Sequence, residues 1–94
     1  MVDSVHSSRY RLLCEILVEA RKARKLSQAA LAEQIGRVQT FVSKYERGER
    51  RLDLVEFIDV AAALELDAVR ILRQLQTVDG KQLRKTRKVG GDAV

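Results

Sequence analysis

Residues 26–48 constrain the fold of this chain more than any other stretch. They read Leu-Ser-Gln-Ala-Ala-Leu-Ala-Glu-Gln-Ile-Gly-Arg-Val-Gln-Thr-Phe-Val-Ser-Lys-Tyr-Glu-Arg-Gly. Ser27 is a good N-cap immediately before Gln28. Leu31, Ala32 and Ile35 follow on one helical face, and Gly36 ends the helix where the backbone must turn through positive φ. A second short helix is expected over residues 39–47, closed by Gly48. Its Val42, Tyr45 and Glu46 face inward. Its Gln39, Thr40, Ser43 and Lys44 face outward.

The flanking sequence supplies helices on both sides. Ser7 or Ser8 caps a first helix running to about residue 24, with Leu13, Leu17, Ala20 and Arg21 on one face. Arg21 is out of place on that apolar stripe, because arginine is rarely buried unless paired. Asp53-Leu54-Val55-Glu56 has the pattern of a capping box, with Glu56 reaching back to the Asp53 amide. The helix it opens is expected to bury Leu54, Phe57, Ile58, Ala61 and Leu64. Asp67 caps a fifth helix over residues 68–76, with Ala68, Leu72 and Leu75 inward. The 94 residues suit one small domain, and the absence of proline with abundant Ala, Leu, Glu, Lys and Arg points to an all-α fold. Residues 1–7 are expected to be disordered, residues 8–78 to form the domain, and residues 79–94 to be a basic, disordered tail with a short helical start near residues 82–87.

Charge narrows the partner. The formal net charge of +5 favours a polyanion. Five basic and two acidic residues fall in the segment 79–94, so the body carries only +2 and needs local clustering to hold phosphate. Cys14 is the only cysteine and His6 the only histidine. An intrachain disulfide and a His/Cys metal cluster are therefore excluded, and Cys14 reads as a buried, inert thiol. There is no nucleophile–base constellation and no phosphate-cradling loop, so neither an enzyme nor a cofactor is expected. No apolar run approaches a membrane span and no signal-peptide core is visible, which leads to the expectation of a cytoplasmic protein without a small-molecule ligand.

Two short helices hinged at a glycine, the second presenting small polar side chains and a lysine, have the design of a helix-turn-helix. In such a motif the second helix enters the major groove of double-stranded DNA. Residues 16–75 resemble the family of phage (lambda-type) repressors and Xre-type bacterial regulators. The resemblance rests on Gln28, Leu31-Ala32, Ile35-Gly36, Val42-Ser43-Lys44, Glu46 and Gly48 taken together. It implies a compact five-helix DNA-binding domain and a transcriptional regulator, most often a repressor. It also implies a partly buried ion pair between Arg21 and Glu46, which accounts for Arg21 on its apolar face.

Within that resemblance, Gln39, Thr40, Ser43 and Lys44 are the expected base readers. Gln can take adenine bidentately, Lys can donate to guanine, and Thr can offer its methyl to thymine. Gln28 at a helix N-terminus is expected on a phosphate, with Arg37, Arg47, Arg50 and Arg51 along the DNA backbone. Close helix crossing is the expected reason for the small Ala32 and Gly36. Val38 stands where a Ser or Thr commonly caps the recognition helix, a loss of about 1 kcal/mol. Glu65 replaces the glycine that often ends the fourth helix, and Phe41 is expected to pack beneath the loop before that helix, the alternative being contact with DNA sugar and methyl groups. Family members usually bind near-palindromic operators as C2 dimers. Ile71, Leu75 and Val78 are the candidate interface, joined by Leu12 and Ile16. The competing function is a protein-interaction module of the antitoxin or coactivator type, whose partner is another protein.

Overall fold

The computed structural model describes residues 7–78, which form five helices in the order α1 (Ser8–Ala23), α2 (Gln28–Gln34), α3 (Gln39–Glu46), α4 (Leu54–Ala63) and α5 (Ala68–Gln76). The expectations for the first six residues and for the segment 79–94 lie outside the described residues. Helix α2 packs chiefly on α3, α1 closes over α3 and α5, and α4 lies against α5 and α2.

Four of the five helices begin on the expected side-chain cap. Ser7 accepts from the Tyr10 amide at 3.1 Å and Ser27 from the Ala30 amide at 2.9 Å. Asp67 accepts from the Val69 and Arg70 amides. The Asp53–Glu56 capping box is closed in both directions, at 2.7 and 2.9 Å. The exception is α3, whose N-cap Val38 has extended backbone and no side-chain bond to offer.

The first four helices share one type of ending. In each, a residue at positive φ sends its amide to the carbonyl three back, and the next amide reaches the carbonyl five back. The second bonds are Leu26 to Arg21, Arg37 to Ala32, Glu49 to Lys44 and Leu66 to Ala61. This is the Schellman motif, and it satisfies carbonyls that would otherwise be orphaned. Gly36 and Gly48 occupy the left-handed position in two of them, but Lys25 (φ 58°) and Glu65 (φ 59°) occupy it in the others. A Cβ at Gly36 would meet nothing within 4 Å. The steric reason expected for that glycine is therefore wrong, and its φ of +70° is the constraint. Ala32, by contrast, is buried as close packing requires.

Leu17, Leu31, Val42, Tyr45, Val60 and Leu64 form the centre of the core, each almost wholly removed from solvent. Two faces differ from the sequence reading. Helix α4 turns Phe57, Val60, Ala61 and Leu64 inward and leaves Leu54 and Ile58 exposed. Helix α5 buries Ile71 (5 % exposed) and leaves Leu72 outside (42 %), so Ile71 belongs to the core and not to a free interface. Both helices carry apolar residues on several sides, and periodicity alone fits two neighbouring stripes. The tie is broken by tertiary contacts: Glu56 must reach the arginines described below, which fixes the rotation of α4.

The left-handed residues yield a stability test. An L-residue in this conformation costs about 1–2 kcal/mol relative to its preferred backbone, a cost glycine largely escapes. Lys25→Gly is expected to raise unfolding stability by about 1 kcal/mol in urea denaturation. A loss of stability would show that the Lys25 side chain does more than close the turn.

Candidate nucleic-acid interface

Arg21 and Glu46 form the expected pair, and it is forked. Arg21 Nε donates to Glu46 Oε2 at 2.7 Å and Nη2 to Oε1 at 3.0 Å. The third nitrogen, Nη1, donates to the Leu26 carbonyl at 2.7 Å. The side chains keep only 11 % and 6 % of their exposure. Glu46 raises the pKa of Arg21, chiefly through these hydrogen bonds. The pair ties the end of α1 to the end of α3.

The network continues to the outer surface. Gln28 Nε2 donates to Glu46 Oε1 at 2.9 Å, and Gln28 Oε1 accepts from Gln39 Nε2 at 3.2 Å. Gln28, expected only as a phosphate contact, is thus a link between the buried pair and the first residue of α3. Gln39, Thr40 and Lys44 are exposed on α3, while Ser43 is half-buried and donates to the Thr40 carbonyl at 3.3 Å.

The arginines flanking α3 are engaged with the protein. Arg47 forks onto Glu49 at 2.9 and 3.1 Å on the surface. Arg51 lies over the Tyr10 ring, 5.1 Å from its centroid. Tyr10 Oη donates to the Arg50 carbonyl at 2.9 Å and accepts from the Leu52 amide at 3.1 Å, which pins the loop after α3. Arg50 forks onto Glu56 at 2.8 and 2.8 Å, and Arg37 Nη2 reaches the same carboxylate at 3.1 Å. Both guanidinium carbons stack on Phe41, at 4.3 and 4.9 Å from its centroid. Phe41 is buried and meets Tyr45 edge-to-face, with centroids 5.6 Å apart. It packs inward, as expected.

Glu56 was legible in the sequence only as half of a capping box. It is buried and accepts from two arginines and from the Asp53 amide. Arg50 first, then the Asp53 amide, hold its carboxyl down to about 2, against the opposing effect of burial. Cys14 is also buried, donates to the Tyr45 carbonyl at 3.2 Å and has its pKa raised by burial, in keeping with an inert thiol. Among the described residues no helix is long and apolar enough to cross a membrane.

A short helix pair joined at a left-handed glycine, braced from α1 and presenting polar side chains from its second member, defines a helix-turn-helix domain. The helix-turn-helix family profile matches residues 17–71, and the chain belongs to this family in its XRE-type branch. It is similar to an XRE-family-like protein from Pseudomonas syringae pv. tomato, with a TM-score of 0.71 and 42 % identity over 78 % of this chain and 89 % of that one. It is also 42 % identical over 50 residues to an uncharacterised HTH-type transcriptional regulator of Sinorhizobium fredii. That match takes in 53 % of this chain and only 26 % of the relative.

Two variants probe the carboxylates. Glu46→Gln removes the counter-charge of a largely buried guanidinium and is expected to destabilise the fold, by less than the roughly 3–5 kcal/mol of a fully buried pair; an unchanged melting temperature would contradict the geometry. For Glu56, the folded carboxyl titrates at about 2, below the ordinary 4.5 of the unfolded chain. Its ionised form therefore contributes stability that is complete above pH 4.5 and disappears as the pH falls toward 2. The stability gap between wild type and Glu56→Gln is expected to narrow across that window in denaturation curves taken at successive pH values.

Proposed function

We propose that this protein is a sequence-specific regulator of transcription that binds double-stranded DNA through α3 and represses by occluding a promoter. The observation that carries the reading is the chain Arg21–Glu46–Gln28–Gln39, which anchors an exposed recognition residue to a buried ion pair. A side chain held in this way meets a base edge with little further ordering. Gln39 takes adenine N6 and N7, Lys44 donates to guanine O6 or N7, and Thr40 and Ser43 complete the reading face. Gln28, Arg37, Arg47, Arg50 and Arg51 make or support backbone contacts that set register. The work is done in the cytoplasm and needs no cofactor.

A single helix-turn-helix reads about half a site, so the reading includes a homodimer on a near-palindromic operator. The exposed apolar residues Leu54, Val55 and Ile58 of α4 and Val69 and Leu72 of α5 support a second copy as partner. Leu75 and Val78 are half-buried and remain candidates at its edge. The same residues are what an interaction module would use on another protein. The polar, lysine-bearing face of α3 favours DNA.

Binding-site selection from random duplexes tests this, with wild type and a Gln39→Ala, Lys44→Ala variant at two salt concentrations. A near-palindromic site is expected for wild type. The variant is expected to lose it, each bidentate contact being worth about 1–3 kcal/mol of discrimination. No enriched site, or binding that merely vanishes with salt, would overturn the reading in favour of a protein partner.

A further inference from the structure

Arg37 and Arg50 come from opposite ends of α3, one from the turn before it and one from the loop after it. They converge on one carboxylate and one aromatic ring. Glu56 accepts Arg50 on both oxygens, Arg37 on Oε2 and the Asp53 amide on Oε1. Phe41 carries both guanidiniums against its ring. The carboxylate is buried, yet the two arginine side chains stay 40 % and 39 % exposed.

A structural salt bridge needs one cation for its anion. Here two cations share one acceptor, with Asp53 and Asp59 also close by, so what the cluster offers beside the recognition helix is a pair of oriented guanidiniums. Each guanidinium has five N–H donors; Arg37 uses one on Glu56, while Arg50 makes two bonds to Glu56 and one to the Arg51 carbonyl. Arginine normally loses considerable rotamer freedom when it grips an anion. Stacking on Phe41, with the Arg50 fork and the single Arg37 bond to Glu56, reduces that freedom during folding.

We infer that Glu56 is a positioning residue for DNA binding, holding Arg37 and Arg50 as a preformed two-guanidinium clamp for one backbone phosphate at the edge of α3. The inference rests on the DNA-binding reading above and adds a residue that never touches the duplex. Arg50, the Asp53 amide and Arg37 favour the ionised form of Glu56, the form that accepts from both guanidiniums.

Two roles for Glu56 predict opposite signs. If it only neutralises cations, Glu56→Gln adds positive charge and tightens binding to any duplex. If it positions them, the glutamine amide offers one acceptor where two guanidiniums need several, and the specific complex weakens. Fluorescence anisotropy on the selected duplex and on a scrambled one, across a salt series, separates these. Circular dichroism establishes that each variant is folded at the temperature used.

Glu56→Gln is expected to lose about tenfold on the selected site, while the loosely seated scrambled complex holds or tightens. Arg37→Lys keeps the charge and the Arg50–Glu56 fork, and is expected to lose several-fold on the selected site with an unchanged salt slope. It also decides the matter if the Glu56→Gln variant does not fold. Tighter binding of Glu56→Gln to both duplexes, or wild-type affinity of Arg37→Lys, overturns the clamp while leaving DNA binding intact. A wild-type protein that selects no duplex overturns the reading beneath it as well.

Discussion

The Arg21–Glu46 pair is the interaction on which the rest of the structure depends. A forked pair with so little exposure gains strength from the low local dielectric, and every remaining polar atom around it needs a partner. Those needs propagate outward. The third arginine nitrogen takes the Leu26 carbonyl and so shapes the turn from α1 into α2. One carboxylate oxygen takes Gln28, and Gln28 in turn holds Gln39. Helices of seven and eight residues are marginal by themselves, so α2 and α3 owe their persistence to contacts of this kind and to Leu31, Val42 and Tyr45 between them.

Glu56 plays the corresponding part on the other side of α3. Its first task is local, closing the capping box that starts α4. Its second is tertiary, since the same oxygens collect arginines from before and after α3. The two tasks share one rotamer, so the start of α4 and the flanks of α3 are fixed together. This explains why α4 presents Phe57, Val60 and Ala61 to the core and strands Leu54 and Ile58 outside.

The helix-turn-helix was readable because its signals are local and redundant: Ser27, Gly36 and Gly48 punctuate it, and the inner faces of α2 and α3 allow one stripe each. An arginine among leucines signalled that a partner was needed, and the family resemblance, not the local pattern, pointed to Glu46. The faces of α4 and α5 were not, because Leu54, Ile58 and Leu72 satisfy helical periodicity as well as Val60 and Ile71 do. The second role of Glu56 was hidden for a different reason. Its arginines stand 19 and 6 residues away, and nothing local distinguishes them from solvated charges. Lys25 shows the converse limit: a left-handed turn was closed without the glycine that would have announced it.

A surface for a polyanion would be expected to exclude acids, yet Glu46, Glu49 and Glu56 stand around α3, with Asp53 and Asp59 beside the last of them. The three glutamates are each engaged by arginine. Glu46 is spent on Arg21, Glu49 on Arg47, and Glu56 is outnumbered by Arg37 and Arg50. With Asp53 and Asp59 at the same cluster, what these groups present is oriented guanidinium donors, not a surplus of charge, with Lys44 exposed on α3. The body of the chain carries only +2 in total, so bulk attraction cannot dominate its encounter with a phosphate backbone. Discrimination then has to come from fit. Fit in turn requires side chains that are ordered before the duplex arrives, and in the proposed reading the buried carboxylates supply this by holding Gln39, Arg37 and Arg50 from behind.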